Sequence, residues 1–277
     1  MEKKCFIAGL PGVGKTTYIA ALWDIIMRQA QRLSLEFTTT PDDMTYLNDI
    51  REYWMRMRVI ERSKIPAPSY IKMNLIRISD NQKMVLNMPD FMGEQYQRII
   101  DHTLADSIKE WINTADGMLF FIDKLEEDAS KDDLEEDDYE EQIADRNQEK
   151  QDALALTVDR MMITSQNLMV LKYIWANAPK IRKLAICISS WDKKSQEGFS
   201  PEGYLENRSP VLYHFIKYHF RNVVYYGVSA QGFDYNNLND KKEEMTQKTQ
   251  NSIRAFIIDE KGQDSPDLTI PLNYLFS

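Results

Sequence analysis

Residues Cys5–Trp23 read CFIAGLPGVGKTTYIAALW. An apolar run, Cys5 to Ala8, gives way to glycines, a lysine and two hydroxyls, and apolar residues then resume at helical spacing. Gly9, Gly14, Lys15 and Thr16 fit the pattern G-x-x-x-x-G-K-[ST], in which glycines let backbone N–H groups curl around an anion. The lysine neutralises the outer phosphates and the hydroxyl ligates Mg²⁺. The flanks agree with that reading. Lys4–Ala8 predicts a buried strand, and Thr17–Ala30 predicts a helix whose N-terminal partial positive charge points at the phosphates. Gly12, Val13 and Thr17 complete the candidate cradle. The competing reading, a glycine turn followed by a surface lysine, has no use for a strand and a helix on either side.

The chain has 277 residues, enough for one generous α/β domain with insertions, and a single domain spanning 1–277 is expected. No apolar run approaches the ~18 residues of a membrane span, and Gly9, Pro11 and Gly12 break the N-terminal apolar stretch, so no signal peptide is expected. A soluble, cytoplasmic protein follows as the expectation. Two cysteines, Cys5 and Cys187, sit in strand-like runs and read as small core residues, not as a disulfide framework. His102, His214 and His219 have no zinc spacing. Of the net charge of −9, the stretch 123–152 carries −11, from about 15 acidic and 4 basic residues, which leaves about +2 elsewhere. Such a run reads first as a solvated loop and second as a docking segment for a basic partner. With no basic stripe interleaved with aromatics, nucleic acid is not an expected partner.

Further strands end in polar signals. Met84–Met88 runs into Asp90-Phe91-Met92-Gly93, a D-x-x-G whose Asp supports a metal through water while the Gly N–H reaches a γ-phosphate. Upstream, YIKMNLIRISDNQKMVLNM predicts a hairpin joined at Asp80-Asn81, preceded by IPAPSY, which contains Ser69. Thr38–Thr40 is the rival hydroxyl cluster. Thr40 before Pro41, Asp42 and Asp43 reads as an N-cap, and predicts a helix to about Arg62. Leu184–Ser189 empties into Ser190-Trp191-Asp192, and the strand in NVVYYGVSAQGFD ends at Ser229-Ala230. Strands near 3–8, 70–79, 83–89, 117–123, 183–189 and 222–228 thus deliver polar residues to one carboxyl edge of an open parallel sheet, where such sheets bind ligands. A long helix is expected over 153–178 and a final helix over Asp240–Asp259.

In this order the elements resemble those of P-loop GTPases of the Ras-like class, across nearly the whole chain. That resemblance implies a P-loop NTPase α/β fold, a mostly parallel sheet with helices on both faces, GTP or GDP with Mg²⁺ as ligands, and a switch function. It implies Ser69 as the switch hydroxyl on Mg²⁺ beside Thr16 and Asp90. It implies Asp192 as the carboxylate that accepts hydrogen bonds from the guanine N1–H and 2-amino group, a donor pair that adenine lacks. Ser189 and Ser190 replace the Asn and Lys of N-K-x-D, with Trp191 as alternative cover for the base. Ser229-Ala230 matches the S-A-K element, whose Ala N–H meets the guanine oxygen, with Gln231 in place of the Lys. Where Ras-like enzymes place a water-orienting Gln after the D-x-x-G glycine, this chain has Glu94 and then Gln95, so slow turnover through Lys15 and these two residues is implied.

More narrowly, the chain resembles the bacterial double-GTPase family. The grounds are GLPGVGKTTYIAALW, a helical insertion over about 38–66 before the switch hydroxyl, and the apolar IPLNYLF within a C-terminal tail of about 262–277. The second, acidic insertion of about 123–152 follows the fourth expected strand. The narrower resemblance implies protein partners in a bacterial conflict or defence module. A non-hydrolysing nucleotide-binding scaffold and, further off, an ATPase remain as alternatives.

Overall fold

The computed structural model describes residues 2–28, 33–39, 41, 44–60, 70–89, 104, 106–125, 162–235 and 238–276. Within them runs a nine-stranded sheet in the order β2-β3-β4-β1-β5-β6-β7-β8-β9. Its centre is parallel: β4 (Lys83–Pro89), β1 (Lys3–Gly9), β5 (Gly117–Ile122), β6 (Lys183–Ser189) and β7 (Val223–Ser229). Antiparallel strands close both edges, β2 (Leu35–Phe37) and β3 (Tyr70–Arg77) on one side, β8 (Phe256–Ile258) and β9 (Asp264–Ser265) on the other.

Successive residues of a strand face opposite sides of a sheet, and all of Gly117–Ile122 are buried, so both faces of the centre are covered. On the Gly117 and Phe121 face lie α1 (Lys15–Arg28), whose Tyr18 ring meets that of Phe121, and α9 (Ile270–Phe276), whose Leu275 fills the space beside Gly117. The expected C-terminal tail is therefore partly a helix docked on the sheet. A second group of helices comprises α3 (Asp106–Thr114), α4 (Ile163–Asn177), α6 (Pro201–Arg208) and α7 (Pro210–His219), with α3 against α4, α4 against α7 and α7 against α6. Between β6 and α6 lies the single turn α5 (Trp191–Lys194).

The six expected strands and the Asp80-Asn81 turn are present, with Asn81 left-handed at φ 58°. Three expectations change. The helix expected through Arg62 is α2 (Met44–Met55), and the final helix is α8 (Leu238–Gln250), followed by β8 where helix was expected. Each of these ends at a residue in the left-handed conformation that is not glycine, Met57 at φ 55° and Ser252 at φ 56°. At both, an i→i−3 and an i→i−5 backbone bond close the turn: Met57 N–H to Trp54 and Arg58 N–H to Tyr53, Ser252 N–H to Thr249 and Ile253 N–H to Lys248. Third, β2, β8 and β9 were not foreseen. Of the helix expected over 153–178, Ile163–Asn177 is observed, and 153–161 lies outside the described residues, as does most of the acidic insertion.

Cys5 and Cys187 are buried free thiols, and burial pushes both up from their ordinary range, as expected of core residues. No helix of the described residues is long and apolar enough to cross a membrane.

Candidate functional site

The chain leaves β1 at Gly9 and enters α1 at Lys15 through a loop whose glycines are all left-handed: Gly9 φ 138°, Gly12 φ 78° and Gly14 φ 84°. Gly9 also has no room for a side chain, since a Cβ there would fall 2.4 Å from the carbonyl oxygen of Phe121 in β5. The buried Lys15 folds back over the loop, its Nζ donating to the carbonyls of Gly9 (2.8 Å) and Leu10 (2.7 Å). Thr16 and Thr17 follow, half-buried, at the N-terminus of α1.

Above this loop opens a cleft of about 380 Å³, lined among others by Gly12, Lys15, Thr16, Arg58, Asp123 and Tyr235. A smaller hollow of about 90 Å³ holds Asp192, Lys193, Ala230 and Phe233. The two share Gly14, Thr17, Ser190 and Gln231 as a common wall. Residues from the ends of β1, β6 and β7 thus meet at one carboxyl edge. Another hollow of about 410 Å³, lined by Trp175, Lys183, His219 and Arg221 among others, sits at the opposite edge, where β6 begins, and contains no glycine loop.

Side-chain bonds tie the two hollows together. The Ser189 hydroxyl donates to the carbonyl of Val13 at 2.6 Å, fastening the end of β6 to the glycine loop. Ser229 donates to Asp192 Oδ1 at 2.5 Å and accepts from the Gly232 N–H at 3.1 Å, so the Asp192 carboxylate is fixed from the neighbouring strand end. Ser190 is left-handed at φ 54°, which turns the chain into α5. Lys194 donates to Asp123 Oδ1 and to the Ser189 carbonyl, both at 2.9 Å, bridging the ends of β5 and β6. Lys193 pairs with Asp234 at 2.8 Å, and that bond holds its ammonium pKa above the ordinary value.

Helix α2 supplies a further wall. The carboxylate of Asp24 on α1 is fully buried and accepts from Arg28 (3.0 Å) and from Arg51 of α2 (2.7 Å), and Trp23 donates to Asn48. At the other end of α2, Trp54 donates its indole N–H to the Ala230 carbonyl at 2.8 Å. The buried Arg254 stacks on that indole at 3.8 Å and donates to the Trp54 carbonyl at 2.6 Å and to Thr249 Oγ1 at 2.9 Å. A cation at the carbonyl end of a helix is favoured by the helix dipole. Burial holds the Arg254 pKa below its ordinary value.

Of the residues expected at the site, Gly9, Gly12, Val13, Gly14, Lys15, Thr16, Thr17, Ser190, Asp192, Ser229 and Ala230 come together here. Trp191 is a correction as base cover. Its ring is 1% exposed, lies against Gly227, where a Cβ would come within 2.3 Å of it, and meets Tyr204 edge-on at 5.7 Å, so only its backbone faces the turn. Thr38 and Thr39 are bonded to Asn74 of β3 and line neither hollow. Ser69, Asp90, Gly93, Glu94, Gln95, Thr40 and His102 lie outside the described residues. Among the described residues no cluster of three His, Cys, Asp or Glu side chains can hold a metal ion. Thr16, at the mouth of the cleft, offers a hydroxyl oxygen, the kind of donor that suits a hard cation such as magnesium. Trp54, Arg58, Asp123, Lys194 and Arg254 were not anticipated. WDKK, with a lysine two places after Asp192, was the only local hint.

A glycine loop between a central parallel strand and a helix, with a fixed carboxylate two strands away, defines a P-loop GTPase fold. The chain belongs to the Double-GTPase 1 family, whose model matches residues 6–275. No curated protein matches it. Among solved structures it is similar to a bacterial selenocysteine-specific elongation factor (14% identity, TM-score 0.36, 88% of this chain and 28% of that one). It is also similar to the cytosolic domain of the T. maritima FeoB iron transporter in its GMPPNP form (13%, 0.34, 89% and 65%) and to Methanosarcina barkeri Roco2 RocCORdC bound to GDP (11%, 0.34, 95% and 52%). The chain spans less than two thirds of the length of each of these three.

Proposed function

We propose that this chain binds Mg²⁺·GTP across the two joined hollows and hydrolyses it slowly, as a nucleotide-controlled switch. The observation that carries the reading is the shared wall of Gly14, Thr17, Ser190 and Gln231, which lets one ligand reach from Lys15 to Asp192. In this reading the Gly12–Thr17 amides and Lys15 hold the phosphates, Asp192 accepts from the guanine N1–H and 2-amino group, and the Ala230 N–H meets its oxygen. The base lies against backbone and Lys193 instead of Trp191. Thr16, Ser69 and Asp90 hold Mg²⁺, directly or through water, which offsets phosphate charge when bound. Gly93 senses the γ-phosphate. Glu94 or Gln95 orients the attacking water, and Lys15 with the loop amides stabilises the transferred group.

Ordering of the Ser69 and Asp90 segments by GTP would expose or hide a protein-binding surface, in the cytoplasm and in a bacterial defence setting. Glu94 favours a second reading, a non-hydrolysing scaffold, because an ionised carboxylate cannot donate to phosphate. Competition by GTP, GDP and ATP against a fluorescent guanine nucleotide, with phosphate release by the parent and Lys15→Ala, tests both. Guanine-selective binding with release that needs Lys15 supports the switch. Release absent under every condition leaves the scaffold, and ATP competing as well as GTP removes the guanine assignment.

A further inference from the structure

Arg58 lines the same cleft as Gly12, Lys15 and Thr16, although it lies outside the P-loop motif. Its position is built. Asp24–Arg51 and Trp23–Asn48 hold α2 on α1, the very helix that begins at Lys15. The Trp54 indole is bonded to Ala230 and its carbonyl to Arg254, so the end of α2 is docked on the strand end beside Asp192. One turn on, Met57 takes the left-handed conformation, costly for a side chain other than glycine, while its side chain packs against Phe233 and Met245. That reversal brings the next residue, Arg58, to the cleft.

The nearby arginines are engaged, Arg51 with Asp24, Arg56 with Glu52 and Arg254 with Trp54. Among the described residues the exposed Arg58 guanidinium makes no ion pair or hydrogen bond. The cleft's carboxylate, Asp123, is bound to Lys194. Lys15 and Arg58 thus leave the cleft with a positive excess facing a loop shaped for phosphate.

We propose that Arg58 supplies, from within the same chain, the cation that stabilises charge on the γ-phosphoryl group during GTP hydrolysis. The proposal rests on the GTP-hydrolysing reading above. The water oxygen forms a bond to the γ-phosphorus, and the bond from that phosphorus to the β–γ bridging oxygen breaks. Its electron pair leaves with GDP, and the proton released by the water goes to the departing phosphate. Negative charge grows on the bridging and equatorial oxygens, and a permanently charged, planar fork of N–H donors suits two of them at once.

The test uses the whole chain with Arg58→Ala and Arg58→Lys, neither of which removes a packed group. Single-turnover GTP hydrolysis with Mg²⁺ should fall by ~10³-fold in Arg58→Ala, and Arg58→Lys should recover part of it. Affinity for GDP should stay within about twofold, because the α- and β-phosphates are held by the loop. Aluminium fluoride, which mimics the phosphoryl group in flight, should tighten GDP binding in the parent and not in Arg58→Ala. Equal rates and equal fluoride effects in parent and variant overturn the proposal. Restoration of the Arg58→Ala rate by added Lys15→Ala protein also overturns it, since the arginine would then act between chains. A parent without hydrolysis defeats the proposed function and with it any role for Arg58 in that step, whereas a hydrolysing parent matched by Arg58→Ala overturns the Arg58 proposal alone.

Discussion

The two halves of the site are held by different kinds of bond. The phosphate half is a backbone object: three left-handed glycines, a Lys15 ammonium on two carbonyls, and a Gly9 pressed against the Phe121 carbonyl. The half proposed for guanine is held by side chains: Ser189 on Val13, Ser229 on Asp192, Lys194 on Asp123. Backbone geometry admits few residues, whereas a hydroxyl can do the tethering of an amide. In this chain the first half fits the G-x-x-x-x-G-K-[ST] pattern in full, while the second departs from N-K-x-D and is tied by serine hydroxyls.

The comparison breaks most visibly at Lys15. Lys15→Ala removes the cation from the phosphate half and should lower phosphate release by about 10³-fold or more, with GTP affinity falling too, measured by phosphate release and fluorescent-nucleotide titration. Next comes Gly9→Ala. A Cβ at φ 138° costs about 1–3 kcal/mol in backbone strain, and displacement of the Phe121 carbonyl adds a similar amount, so the urea midpoint should drop sharply. A Gly9→Ala chain as stable as the parent would refute the claim that this half depends on a backbone conformation and close approach that only glycine allows.

Asp192→Asn probes the other half. The amide keeps its shape and still accepts from Ser229, but turns a donor toward the guanine N1–H. GTP affinity should fall about 30-fold, the worth of roughly 2 kcal/mol of charge-assisted bonding, while xanthosine triphosphate, which carries an oxygen where guanine has its amino group, should bind better than GTP. Unchanged GTP affinity in competition titrations would remove Asp192 from the base edge.

The same distinction explains what could be read from sequence. The parallel strands are continuous buried runs such as Gly117–Ile122, and the phosphate loop is spelled by residues that backbone angles require. The ends of α2 and α8 carry no glycine. Met57 and Ser252 are left-handed because Met57 packs on Phe233 and Met245 and because Arg254, two residues past Ser252, reaches across to Trp54. Those causes lie about 200 residues apart in the chain, since Trp54 and Arg254 differ by that number. No local pattern signals them, and with them went Arg58 and Trp54 as site walls. Trp191 misled for a related reason: next to Asp192 it looked like base cover, but Gly227 on β7 leaves a space that its ring fills.

The smallest expected effect falls on the seam between the halves. Ser189→Ala removes a side-chain bond from the end of β6 to the glycine loop and leaves the Val13 carbonyl without its hydroxyl donor. A neutral hydrogen bond is worth about 1 kcal/mol, so stability should drop by about that amount and nucleotide affinity by about fivefold. The Ser189 hydroxyl is bonded to the loop and not to Asp192, so GTP, GDP and xanthosine triphosphate should all weaken by the same factor. Asp192→Asn should alter their ranking, and Ser189→Ala should preserve it. If Ser189→Ala instead changed the preference among bases, the seam would belong to base recognition and the division into a backbone half and a side-chain half would have to be redrawn.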